Sequence, residues 1–413
     1  MIYQIFSFLF SIILIPIIFI LGFFFPKLKA GFCEKCGNYK NLEKDKRIVF
    51  YGISVGEIQA LEGLIKKTKE TFSDVKIVIM TGTPTGQELA KKKFSEIAEY
   101  ITYFPFDFPQ CVNSMIKKIK PSAFLVMETE LWPNYTYALH KNKIPFYVIN
   151  ARISDRTFNS YKKLKFIFKP ILERFTNVFP QSQQDYDKFI ALGAKENTTK
   201  IMGNLKFDIK KPDISNLNFE RGENSKIILA GSTHSGEDEI ALGAFVNLKK
   251  EFSNLKLMIA SRHPERNEKV FELMQKTGFS CGKRSNNDNF KEKDIILIDT
   301  MGELGKLYSV CDIAFLGGSF NKTGGHNPLE ATIWEKPVIS GACIHNFKDI
   351  YAILTNNGAA KIVKTQQELE YAFASLLQED EQYKIAKDAC KDVFEKHSGA
   401  VKFVIDVLQN IVK

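Results

Sequence analysis

The chain opens on a stretch without polar relief. From Met1 to Pro26 no side chain is charged, and Ile5 to Phe25 is almost wholly apolar. At about 1.5 Å of helical rise per residue, such a run covers the roughly 30 Å hydrocarbon layer of a bilayer. A soluble helix of that length keeps a polar face, so the pattern predicts a membrane anchor over 1–26 rather than a core helix. A cleaved secretory signal would carry its basic residues ahead of the apolar run. Here Lys27, Lys29, Lys35, Lys40 and Lys46 follow it, which predicts a retained anchor with the rest of the chain on the cytoplasmic side. Pro16 suits either a spanning helix or a bent one lying in the interface.

Past the anchor the period changes. Short β-branched runs at 47–51, 75–80, 100–103, 123–127, 146–149, 177–179 and 200–202 alternate with amphipathic stretches. That rhythm predicts a parallel sheet with helices on both faces. A charged stretch with Pro and Asn at 208–225 interrupts it, and the runs resume at 226–230, 255–260, 295–298, 313–316 and 337–339. The pattern therefore predicts an α/β chain of two doubly wound, Rossmann-like domains, 27–207 and 226–413, joined by a linker over 208–225. Two such sheets would face across a cleft at the carboxyl ends of their strands, where ligands of these folds sit. Residues 366–412 read as closing helices.

Composition narrows the class. With 413 residues, 45% hydrophobic and 25% charged, the chain must build a real core, which excludes disordered, collagen-like and disulfide-scaffold proteins. Its net charge of +10 points to anionic company. No aromatic–basic recognition block or zinc-finger spacing is present, so nucleic acid is not the expected partner. Seven cysteines form a sparse, odd set that implies a reducing compartment and no disulfide. Cys33 and Cys36 make one CxxC without the second pair a zinc site needs.

Candidate chemistry gathers at strand ends. Glu57 follows the first strand in Tyr51-Gly-Ile-Ser-Val-Gly-Glu57, where a carboxylate either stabilises its own helix or serves as a base. Thr81-Gly-Thr-Pro-Thr-Gly86 follows the second strand, and Glu128-Thr-Glu-Leu-Trp-Pro-Asn134 the fourth. The Glu128/Glu130 spacing could hold a divalent metal, but the favoured reading makes Glu128 a charged orienting group. Lys206 closes the first domain, where it would meet a carboxylate or phosphate. In the second domain Leu229-Ala-Gly-Ser-Thr-His-Ser-Gly-Glu237 suggests an anion cradle around Ser232 and Thr233. Ser261, Arg262 and His263 end the next strand, and Arg262 would grip a phosphate. Met301-Gly302-Glu303 precedes a helix. The glycine-rich run Gly317–Glu330 would let Asn327 cap a helix starting at Pro328 and let Glu330 accept from ribose hydroxyls.

Six blocks in order carry a resemblance. Ser54-Val-Gly-Glu57, Thr83-Pro-Thr-Gly86, Glu128–Asn134, Gly203-Asn-Leu-Lys-Phe-Asp208, Arg262-His-Pro-Glu-Arg266 and Gly324-Gly-His-Asn-Pro-Leu-Glu330 resemble those of the bacterial Kdo transferases. These enzymes move 3-deoxy-manno-octulosonic acid (Kdo) from CMP-Kdo onto the lipid A precursor, lipid IVA, in lipopolysaccharide synthesis. The resemblance runs from the anchor to about residue 350. It implies a GT-B glycosyltransferase with an acceptor-binding first domain and a CMP-sugar-binding second domain, at the inner membrane. It also implies Glu57 as general base, Glu128 and Lys206 as groups assisting the transition state, and Ser261, Arg262, Met301, Gly302, Glu303, Asn327, Pro328, Leu329 and Glu330 at the donor, to which the anion-cradle reading adds Ser232 and Thr233. Two departures stand out: Tyr51 replaces a His that often begins the first block, and the CxxC lies where basic and aromatic residues are usual.

The chemistry implied is coherent. A positioned carboxylate that takes the acceptor proton contributes roughly 10²–10⁴-fold. Arg262 and helix N-termini can meet the charge of departing CMP, so neither a metal nor another cofactor is expected. The acceptor and the anionic bilayer account for the basic charge, at about 1 kcal/mol per lysine near the surface. Competing readings are another nucleotide-sugar enzyme on the same scaffold, either a different transferase or an epimerase, the latter having no use for a lipid anchor, and a non-catalytic membrane-tethered binding module, which has no use for Glu57.

Overall fold

The computed structural model describes residues 2–412. Met1, Lys413 and the side chains of Ile2, Lys27 and Val412, all within ranges named above, lie outside what is described. The chain divides into two compact units, residues 1–208 with 397–413 and residues 209–396.

Six strands build the first unit: β1 (Arg47–Gly52), β2 (Lys76–Thr81), β3 (Tyr100–Tyr103), β4 (Ala123–Met127), β5 (Phe146–Ala151) and β6 (Asn177–Pro180). All run parallel, in the order β3-β2-β1-β4-β5-β6. β1, β4 and β5 are buried along their whole length, because helices cover both faces. The chain winds outward in opposite directions from the neighbours β1 and β4. Their carboxyl ends therefore form the topological switch point, where open α/β sheets bind ligands. The run 200–202 is not a strand. Lys200 and Met202 donate their N–H groups to Val178 and Pro180, and only an isolated bridge forms at Thr199.

The segment expected to be an anchor is a helix over Ile2–Phe24, and Tyr3–Phe24 is long and apolar enough to cross a membrane. Only 11% of its most apolar window is buried, which separates it from a core helix. Its serines hold it to the first unit: Gln110 donates to Ser11 Oγ at 2.6 Å and Asn134 to Ser7 Oγ at 2.8 Å.

The second unit holds β7 (Lys226–Thr233), β8 (Leu255–Ser261), β9 (Cys281–Lys283), β10 (Ile295–Leu297), β11 (Ile313–Leu316), β12 (Val338–Gly341) and β13 (Ala360–Val363). Its parallel order is β13-β12-β11-β7-β8-β10-β9, so the switch point falls between β7 and β11. Both units thus have the doubly wound form that the alternation predicts.

The expected boundaries need two corrections. The second domain does not extend to 413, because the helix Ala400–Val412 returns to the first unit and inserts Ala400, Val404, Ile405 and Leu408 beside Ile48, Phe50 and Leu64. Asp208 fixes that return by accepting from the N–H groups of Gly399 and Val401. Nor are 209–225 a free linker: Leu217 and Phe219 pack on the second core, and Arg221 pairs with Asp312 at 2.7 Å. All seven cysteines are free thiols.

Candidate active site

Glu57 sits in the first turn of the helix Val55–Ala60, just past the end of β1. Ser54 caps that helix by accepting from the Glu57 N–H. The Glu57 carboxylate returns the contact, accepting from Ser54 Oγ at 2.9 Å and from the Ile53 N–H at 2.8 Å. The carboxylate thus stabilises its own helix, one of the two expectations for this residue, and is locked in one orientation. Burial pushes its pKa up, and although the bonds from Ile53 and Ser54 oppose this, the group stays above its ordinary value. The Thr83 block buttresses the turn. Thr83 donates to the Ile53 carbonyl at 3.0 Å, and a Cβ on Gly86 would lie 2.9 Å from that same oxygen.

At the end of β4, Glu128 occupies the left-handed region at φ 56°, a strained conformation for a glutamate. Glu130 turns instead toward Tyr51 and Trp132, accepting from the phenol at 3.2 Å and from the indole at 2.6 Å. Among the described residues no group of three or more His, Cys, Asp or Glu side chains is arranged to hold a metal. The pattern also missed Asp107, which accepts from the Asn134 and Tyr135 N–H groups at 2.9 and 2.8 Å. Burial raises its pKa to about 6. No local signal marks it, because it caps a helix that begins 26 residues later, at Pro133.

Lys206 lies half-buried on the turn Leu205–Phe207. Asn204 accepts its N–H at 3.0 Å, while Asn150, at φ 52°, accepts from Leu205 at 2.9 Å. Asn150 is a second residue the sequence did not single out.

In the second unit one N–H of the expected anion cradle, that of His234, is already bound by protein, together with three from the loop after β11. The Glu237 side chain, 1% exposed, accepts from the backbone N–H groups of Gly318 (2.7 Å), Ser319 (2.8 Å), Phe320 (2.8 Å) and His234 (2.9 Å). Its carboxylate thus clamps the loops after β7 and β11 together, and this explains Gly317, where a Cβ would sit 2.4 Å from the Ser232 carbonyl. Ser232 itself is at φ 56°. Thr233 is fully buried and donates to Asp238 at 2.6 Å; Asp238 in turn pairs with Arg266.

Other expected residues remain accessible. Arg262 is exposed, and its backbone N–H is pinned to the Thr233 carbonyl at 2.9 Å. Ser261 donates to Asn267 at 2.6 Å. The helix after the glycine-rich loop spans Leu329–Thr332 rather than starting at Pro328, yet Asn327 Oδ1 still accepts from the Leu329 N–H at 3.2 Å. Pro328 and Leu329 are buried, and Glu330 is exposed within the field of Arg262. Met301 and Gly302 form an exposed turn beside Glu303. Burial acts to raise the Glu303 pKa, but Thr300 and Arg284 outweigh it and hold the carboxyl below its ordinary value.

The family model described as 3-deoxy-D-manno-octulosonic-acid transferase (kdotransferase) matches residues 30–209. A 3-deoxy-D-manno-octulosonic acid transferase of Haemophilus influenzae is 34% identical over 93% of this chain and 92% of its own length. The chain belongs to the Kdo transferase family. The Aquifex aeolicus 3-deoxy-D-manno-octulosonic acid transferase is 35% identical over 80% of this chain and 86% of its own. Among solved structures, the UDP-GlcNAc 2-epimerase of Neisseria meningitidis bound to UDP-GlcNAc superposes with a TM-score of 0.56 at 17% identity, covering 88% of this chain and all of that one. That likeness is one of two-domain GT-B fold alone. As a member of the Kdo transferase family, the protein is a glycosyltransferase. Its Tyr51 stacks on Phe104 with centroids 3.9 Å apart and directs its hydroxyl at Glu130.

Proposed function

We propose that this Kdo transferase takes Kdo from CMP-Kdo and places it on lipid IVA by a single displacement that inverts the anomeric centre. The observation that carries the proposal is Glu57: a half-buried carboxylate at the first unit's switch point, held by two hydrogen bonds and with a raised pKa. Such a group accepts a proton more readily than a solvated glutamate at the same pH. In this reading Glu57 takes the proton of the acceptor hydroxyl as that oxygen bonds to the anomeric carbon. The bond from that carbon to the CMP phosphate breaks, and its electron pair leaves with the phosphate.

Glu128 and Lys206 assist the transition state, and Arg262 meets the phosphate charge with its guanidinium donors. Ser232, Thr233, Ser261, Met301, Gly302, Glu303, Asn327, Pro328, Leu329 and Glu330 complete the donor site. Thr233, Pro328 and Leu329 contribute through the backbone they fix, because their side chains are buried. The helix 2–24 anchors the enzyme in the bacterial inner membrane with both units on the cytoplasmic side, and the basic residues after it face anionic headgroups.

The test is mass spectrometry of the lipid after membranes containing this protein are incubated with CMP-Kdo and tetraacylated lipid A precursor. A gain of one or more Kdo units is expected. Binding of the CMP-sugar with no lipid gain would reject the acceptor.

A further inference from the structure

His234 follows β7 and His326 lies in the loop after β11, so both stand at the switch point of the second unit. Their Nε2 atoms are 3.2 Å apart. The ring centroids are 5.4 Å apart and the planes differ by 12°. The centroid separation exceeds the Nε2 separation by about two ring radii, so the imidazoles meet head to head in nearly one plane. This is the geometry of an N–H···N hydrogen bond and not of face-to-face stacking.

A head-to-head pair has a fixed proton capacity. One ring donates its Nε2 proton to the other, and a single further proton can be taken at an outer Nδ1. A second would force two N–H groups against each other at the bridge. The pair therefore switches between neutral and +1 as one unit.

The charged neighbours set the direction of that switch. His263 lies 5.3 Å from the His234 ring, and Arg262, Arg266 and Glu237 also act on the pair. Arg266 is already neutralised by buried Asp238. Glu237 is shared among four backbone N–H groups. Arg262 makes no ion pair among the described residues, and its charge acts both on the pair and on the Glu330 carboxylate. Burial, and after it the neighbouring cations, hold both imidazoles below their ordinary pKa, His326 at about 4. The pair is thus neutral near pH 7 in the free protein.

An anion bound beside Arg262 reverses that balance. We propose that His234 and His326 act as one proton-accepting unit that charges when the donor phosphate binds and then stabilises the departing phosphate. The proposal rests on the donor site proposed above. It also has a chemical purpose: bond cleavage turns a singly charged phosphodiester into a phosphomonoester with one more negative charge. A cation generated by binding is in place to meet it, at no cost to the stability of the free protein.

Linkage gives the test. Between the low pKa of the free pair and its raised value in the complex, binding takes up a proton, and affinity falls roughly tenfold per pH unit as pH rises. Calorimetric titration of the full chain with CMP, in two buffers of different ionisation enthalpy near neutral pH, measures the protons exchanged. The titration of CMP itself is common to all variants, so the difference between the wild type and His326→Gln isolates the pair. About one extra proton in the wild type is expected, with turnover lost in the variant more strongly than CMP affinity. His234→Gln gives the same readout if the first variant does not fold. CMP binding with the same proton count in the wild type and both variants overturns the proposal. Failure of CMP to bind the wild type overturns the donor site and this proposal with it.

Discussion

Replacing Glu237 by Gln tests the clamp that shapes the second unit. One carboxylate oxygen accepts from Ser319 and Phe320 and the other from Gly318 and His234. An amide turns one of those oxygens into a donor, so in either orientation two backbone N–H groups face an NH₂ and lose their acceptor. Hydrogen bonds to a charged group contribute about 1.5–3 kcal/mol each, which makes the expected loss about 3–6 kcal/mol. The two tryptophans separate the units. Trp334 lies in the second unit, with its indole donating to the Gly305 carbonyl at 2.8 Å, and Trp132 lies in the first. Urea unfolding followed by Trp334 fluorescence in a Trp132→Phe background should move its midpoint down by about 1 M or more. The Trp132 transition in a Trp334→Phe background should stay within about 0.5 kcal/mol. A Trp334 transition shifted by less than about 1 kcal/mol would refute the reasoning, because the four N–H groups would then have to be satisfied in some other way.

Glu57→Gln should leave CMP affinity intact and lower turnover by roughly 10²–10⁴-fold; a variant of wild-type rate removes Glu57 as base. Because Glu57 must be ionised to act and burial raises its pKa, turnover should fall as pH drops through a limb above the ordinary carboxylate range. Ser54→Ala, which deletes a bond that favours the charged form, should move that limb to higher pH, and an unmoved limb assigns it to another group. Leu408→Ala should cost about 2–5 kcal/mol in the Trp132 transition and nothing in that of Trp334, since the final helix belongs to the first core; the reverse pattern would restore 397–413 to the second unit. Arg262→Ala, at an exposed side chain without an ion pair, should change stability by no more than about 0.5 kcal/mol yet weaken CMP binding. Unchanged CMP affinity would exclude it from the donor site.

The two sheets were legible because parallel strands buried on both faces must be written as short apolar runs. Ile48–Tyr51, Ile77–Met80 and Ile227–Ala230 could hardly be anything else. Where a strand lacks that run, the signal fails. β9 is Cys-Gly-Lys, a short outer strand that needs only a half-apolar surface, and β13 occupies the opposite edge. Conversely, the 200–202 segment has an apolar pattern and donates two N–H groups to β6, but the chain then turns at 205–207, so no longer ladder forms. The return of the final helix was illegible for another reason. Its amphipathic stripe says that it packs, and only the three-dimensional path says against which core.

The strand-end blocks show the same limit in the site. Motif spacing finds polar residues where the sheets end, but it does not say which way each faces. Thr83, Asn204, Thr233, Glu237 and Asp238 turn inward and spend their hydrogen bonds on loop backbone or on one another. Glu57 and Lys206 stay half-exposed, and Arg262 and Glu330 stay exposed. An inward polar group has a large stability cost on removal and no capacity left for a ligand, whereas an outward one has the opposite. The glycine-rich loop is the sharpest case. Read as sequence, Gly317 and Gly318 permit a close backbone approach, and in the structure it is the Glu237 carboxylate on which their loop closes. The protein thus supplies its own anion to hold that loop, and in the proposed reading Arg262 and the imidazole pair, rather than these loop amides, meet the anion of the substrate.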